Sequence, residues 1–69
     1  MEELKLRDEF IKLGQAMKAA GIVSSGIDAK MLIQDGQVTV NDEVETRRGK
    51  KLYDGDVFEF EGEEFKVVK

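Results

Sequence analysis

The sequence contains neither cysteine nor histidine. Without thiols, no disulfide or thiolate–metal framework can hold the fold. Without imidazole, the chain lacks the commonest general base and the commonest metal ligand. Apolar runs extend over only a few residues, far short of the roughly 20 needed to cross a bilayer. The opening MEELKLRDE is charged where a secretory signal would be apolar. No catalytic residue, cofactor or metal site is therefore expected, no membrane is expected as a partner, and the expected location is the cytoplasm. The length of 69 residues suits one small domain, 1–69, with a limited core.

Positive charge is also in deficit, with 11 basic residues against 15 acidic ones and a net charge of −4. As a total, that argues against a polyanionic partner. The distribution argues otherwise. Residues 10–27 include Lys12 and Lys18 and no acid, and residues 46–53 include Arg47, Arg48, Lys50 and Lys51 and no acid. Residues 54–64 then carry six acids and no cation. Charge sorted in this way along a chain can fold into one basic face on an acidic protein.

Period and punctuation outline the elements. Residues 1–9 are mostly charged, but the alternation of Leu4 and Leu6 ahead of Phe10 and Ile11 allows a short edge strand. From Leu13 the period becomes helical: Leu13, Ala16, Met17 and Ala20 share a face, Gln15 and Lys18 fall on the solvent side, and Gly21 is the stop. A second helix follows a short link. Ser25 stands as its cap with Asp28 three residues on, Ala29, Leu32 and Ile33 form its inner face, and Gly36 ends it. Residues 38–40 and 43–46, joined by Asn41-Asp42, read as a hairpin. The run RRGKK reads as a loop, and Leu52 and a partly buried Tyr53 return towards the core. Asp54-Gly55 makes a turn, and residues 57–60 and 65–68 form a last strand pair around Gly62. The expected fold class is α+β, two packed N-terminal helices followed by a small, mainly antiparallel β-sheet.

This series of residues resembles a known family. Ser25, Ala29, Lys30, Ile33, Gly36, Val38, Val40 and Asn41, followed by Gly55, Asp56 and Val57, are similar to the pattern of the S-four RNA-binding domain, also called the αL RNA-binding motif. The likeness covers about residues 11–60. It is greatest to the small stand-alone bacterial members, the YaaA and YbcJ type, in KLGQAMKAAGIV, IQDGQVTVNDEVETRRGKKLYDGD and FEGEEFKVV. Two places depart from the family. Lys12-Leu13-Gly14 stands where the first helix usually opens Arg-Leu-Asp, and Ser25-Gly26 stands where the second usually opens Ser-Arg. The resemblance implies a partner among structured RNAs of the ribosomal or transfer class, and a setting at the ribosome or a ribosomal subunit. A monomer is expected.

On that reading the RNA-binding residues are Lys12, Gln15, Lys18, Ser25, Lys30, Arg47, Arg48, Lys50 and Lys51. The guanidinium groups can present a planar fork to phosphate, and the lysines act as point charges. Gly49 leaves the backbone free for close approach or simply permits a turn. Tyr53, read as partly buried, has stacking on an unpaired base as its alternative. The acidic run lacks the Asp-x-Asp-x-Asp-Gly pattern of a calcium loop and reads as a solvated face. The competing expectation is a protein–protein interaction module that uses the acidic strands or a sheet edge.

Overall fold

The computed structural model covers residues 1–69. Its elements are β1 (Glu2–Lys5), β2 (Phe10–Lys12), α1 (Leu13–Ala19), α2 (Gly26–Gln34), β3 (Val38–Val40), β4 (Glu43–Val44), β5 (Lys51–Tyr53), β6 (Val57–Phe60) and β7 (Glu63–Val68).

Both helices end by the same device. Gly21 and Gly36 each take φ +79°, which a side chain would resist. After α1, the Ile22 N–H donates to the Met17 carbonyl at 3.0 Å; after α2, the Gln37 N–H donates to the Leu32 carbonyl at 3.2 Å. These are the six-to-one bonds of a glycine-terminated helix, and they reverse the chain within one turn. The starts differ. At α2 the Ser25 hydroxyl accepts the Asp28 N–H at 3.3 Å, as its position predicts. At α1 no side chain caps the helix. Instead the Leu13 N–H donates to the Lys50 carbonyl at 2.8 Å and the Gly14 N–H to the Arg48 carbonyl at 3.0 Å. The basic loop is thus the cap of the first helix.

The strands form a five-stranded sheet in the order β1-β7-β6-β3-β4 and a separate pair, β2-β5. Only β1 and β7 run parallel. Two tight hairpins share one turn geometry. Asn41 and Asp42 have φ of 50° and 70°, and Glu61 and Gly62 have φ of 51° and 82°. Positive φ at both central residues matches the right-handed twist of the flanking strands. The core lies between the helices and the large sheet. Leu13, Met17, Ala29 and Ile33 meet Val38, Phe58 and Val67, all fully buried. Phe58 and Phe65, cross-strand partners, stack with centroids 5.1 Å apart.

Three expectations need correction. The helices do not open the chain, because β1 and β2 precede them. Each is held by a strand from much later in the sequence, β7 and β5 respectively, so local pattern carries little of either. The second strand of the first hairpin stops at Val44 rather than residue 46, because the Glu45 carboxylate accepts the Arg47 N–H at 3.0 Å and bends the chain. Tyr53 is 48% exposed rather than partly buried. Leu52 takes the inward position of β5, so its neighbour alternates outward.

Candidate nucleic-acid interface

Pairing of β2 with β5 places Lys12 opposite Lys51, and the loop between β4 and β5 then folds back over the start of α1. Gly14 is central to this contact. A Cβ built there would lie 2.7 Å from Arg48 Cγ and 3.3 Å from Arg48 Cδ, so the arginine stem lies across the bare glycine backbone. At this first departure from the family pattern, any residue with a Cβ would crowd the Arg48 stem. Gly26, the other departure, has open space around its Cα.

The result is an open cleft of about 330 Å³ lined by Lys12, Gly14, Gln15, Lys18, Gly26, Arg48 and Gly49. Three cations and no carboxylate line it. Across Gln15 and Lys18 it continues into a groove of about 490 Å³ that Lys5, Arg7 and Phe10 also border, together with Asp8. Sequence reading missed Lys5 and Arg7. Their place follows from the pairing of β1 with β7, and nothing local to them signals it.

The four cations of RRGKK do not act together. Arg48 faces the cleft. Lys51 holds its ammonium 4.8 Å from the centroid of the Phe10 ring. Arg47 turns the other way and grips Glu45 with two side-chain bonds, Nε to Oε2 at 2.9 Å and Nη2 to Oε1 at 3.1 Å. Lys50 is half-buried and faces that side too, in a pocket that includes Glu43 and Glu45. The hydrogen bonds from the Arg47 side chain hold the Glu45 carboxyl down at about 2, aided by the Arg47 N–H and the charges of Arg47 and Lys50, while partial burial opposes the shift. The Arg47 guanidinium is stabilised in return.

Of the nine sequence-predicted residues, the fold therefore gathers Lys12, Gln15, Lys18 and Arg48 into one cleft, with Ser25 adjoining it beside Gly26. Lys30 is exposed one turn along α2 from Gly26, outside the lining, as are Arg47, Lys50 and Lys51. The acidic run is partly structural. Asp56 Oδ2 accepts the Tyr53 N–H at 2.7 Å and Asp54 Oδ1 accepts the Lys69 N–H at 2.9 Å. No group of three acidic residues is placed to hold a metal ion, and no helix is long and apolar enough to cross a membrane.

Two packed helices set against a mixed sheet, with a basic loop closing the first helix, define the class. Residues 4–68 match the S4 domain, and the chain belongs to that family. It is similar to the probable ribosome maturation protein RlbA of Bacillus subtilis (strain 168), 48% identical over 59 residues that cover 86% of this chain and 83% of that protein. It is similar also to the putative RNA-binding protein YbcJ of Escherichia coli (strain K12), 38% identical over 58 residues covering 84% of this chain and 83% of that one. The solution structure of E. coli YbcJ, described as revealing an αL motif involved in RNA-binding, matches the whole of this chain and 89% of that chain with a TM-score of 0.75 at 34% identity.

Proposed function

We propose that this protein binds structured RNA, of the ribosomal or transfer class, by docking its cleft on the sugar–phosphate backbone. One observation carries the reading: a chain of net charge −4 keeps a cleft lined by Lys12, Lys18 and Arg48 free of every carboxylate. Arg48 offers a planar fork to phosphate oxygens, and Lys12 and Lys18 supply point charges on either side. Gln15 is exposed between them and can bond phosphate or a 2′-hydroxyl. The positive end of α2, beside Ser25, opens on the same cleft at Gly26. Lys30, Lys51, Arg47 and Lys50 sit outside the lining and add to the surrounding potential, Arg47 least because Glu45 neutralises it. Recognition on this scheme is by charge and shape rather than base identity. The name carried by RlbA, a probable ribosome maturation protein, supports the ribosome as the setting. We place the protein in the cytoplasm as a monomer acting through binding alone.

The experiment is filter binding to purified ribosomal RNA and transfer RNA over a salt series. Wild-type log affinity should fall with log salt at a slope of about −2 to −3 if the three lining cations contact phosphate. Changing Lys12, Lys18 and Arg48 together to Ala should weaken binding and flatten the slope towards zero. Equal binding by the triple variant would remove the cleft from the interface. Absence of binding to either RNA, with capture of a protein through the acidic strands or a sheet edge, would replace the reading by the competing one.

A further inference from the structure

The outward face of the β2–β5 pair carries chemistry that backbone docking leaves unused. The register sets Phe10 opposite Tyr53, Ile11 opposite Leu52 and Lys12 opposite Lys51. Leu52 is fully buried, so strand alternation puts Phe10, Lys12, Lys51 and Tyr53 together on the other side. The Phe10 and Tyr53 rings lie 5.8 Å apart, tilted by 52°, and the Lys51 ammonium lies over Phe10. Phe58 and Phe65, by contrast, are packed in the core. Tyr53 remains 48% exposed although its backbone is pinned by the Asp56 carboxylate. A large ring about half exposed, braced by a second ring that carries the Lys51 ammonium over its face, is suited to the flat face of a nucleobase.

We propose that Tyr53, braced by Phe10, is a stacking platform for an unpaired base of the RNA whose phosphates occupy the adjacent cleft. The inference rests on the RNA-binding reading and adds to it the class of ligand, an RNA with a junction between paired and unpaired segments. The connection is physical. Lys12 belongs both to this face and to the cleft, and Phe10 borders the groove formed with Gln15 and Lys18. Residues two apart on a strand lie about 7 Å from each other, so a phosphate at Lys12 and a base on the rings are within the reach of one nucleotide. Every base has a π-face, so such a platform selects single-stranded character and not sequence. A paired base is already stacked on its neighbours and cannot be offered to the ring.

The test uses two probes, a blunt RNA duplex and the same duplex with a single-stranded tail carrying 2-aminopurine. The variants are Tyr53→Ala, Tyr53→Phe and the Lys12, Lys18 and Arg48 triple alanine change, with folding checked by circular dichroism. Wild type should bind the tailed probe more tightly and alter the 2-aminopurine fluorescence. Tyr53→Ala should lose roughly tenfold in affinity for the tailed probe, the scale of one base–aromatic stack, with the blunt duplex and the salt slope unchanged. Tyr53→Phe should retain the wild-type behaviour, since the ring and not the hydroxyl is required. Equal binding of the tailed probe by wild type and Tyr53→Ala, while the triple variant loses both probes, would overturn the platform and leave the cleft intact. Failure of wild type to bind either probe at low salt, or wild-type binding by the triple variant, would overturn the cleft reading and the platform with it.

Discussion

The side-chain amide of Asn41, at the tip of the first hairpin, donates to Asp56 Oδ1 at 3.1 Å, and its own oxygen accepts the Val57 N–H at 3.0 Å. The other oxygen of Asp56 accepts the Tyr53 N–H. Two short motifs far apart in sequence, Val-x-Val-Asn and Gly-Asp-Val, are therefore one knot. It ties the β3–β4 turn to the turn between β5 and β6, and through β5 it fixes the loop that caps α1.

Breaking the knot should cost stability. Asn41→Ala loses both side-chain bonds and places a Cβ-bearing residue without a local hydrogen bond at φ 50°. Urea unfolding should show a loss of about 2 kcal/mol. Asn41→Gly accepts the same φ and loses only the bonds, so it should cost about half as much. An equal loss in the two variants would show that backbone conformation contributes nothing there.

Much of this architecture could be read from residues that act locally. Gly21 and Gly36 end helices, Ser25 caps one, and Asn41-Asp42 turns a hairpin, each by chemistry confined to a few neighbours. What escaped was set by distant pairing. The alternation around Leu4 and Leu6 allowed a short edge strand, which β1 is, but its partner β7 was not marked locally, and Lys5 and Arg7 reach the groove only through that pairing. The candidate site shows the same division. The sequence marks RRGKK as a cationic cluster, but the loop's carbonyls must bond to Leu13 and Gly14 before Arg48 can point at α1 and Arg47 away from it. Glu45, two residues upstream, was the one local sign that Arg47 would be occupied.

Gly14 should govern affinity more than stability. A methyl group there would lie 2.7 Å from Arg48 Cγ and 3.3 Å from Cδ but at an ordinary contact distance, 3.6 Å, from the Arg48 carbonyl, so it is the stem that must turn aside, taking the guanidinium with it. Alanine also favours the helix by up to about 1 kcal/mol over glycine. Gly14→Ala should unfold at an equal or higher urea concentration yet bind ribosomal RNA several-fold more weakly. Combining it with Arg48→Ala should add nothing to the affinity lost by Arg48→Ala alone, because both act through one side chain. Additive losses in that cycle would mean that Gly14 touches RNA by itself.

The two adjacent arginines should behave differently under salt. Arg48 lines the cleft, whereas Arg47 is already engaged with a carboxylate. Arg48→Ala should flatten the log–log salt dependence of RNA binding by about one unit, as one released counterion requires. Arg47→Ala should leave the slope nearly unchanged. Matching slopes for the two variants would show that the Glu45 pairing opens when RNA binds.

Glu45→Gln should act in the opposite sense to loss of Arg48. It keeps an oxygen for the Arg47 N–H but removes the charge that neutralises the guanidinium, so RNA affinity at neutral pH should rise and its salt slope steepen. The same change should alter acid stability. Folded Glu45 titrates at about 2 rather than its ordinary 4.5, so on acidification the unfolded chain takes up this proton before the folded one. Its contribution is therefore complete above about pH 4.5 and is lost as pH falls through about 2. Denaturation midpoints of wild type and Glu45→Gln should accordingly differ most near neutrality and converge as pH falls across that window. A constant difference from pH 7 to pH 2 would show that the ion pair between Glu45 and Arg47 contributes nothing to folding, and unaltered RNA affinity would show that Arg47 lies outside the field the RNA senses.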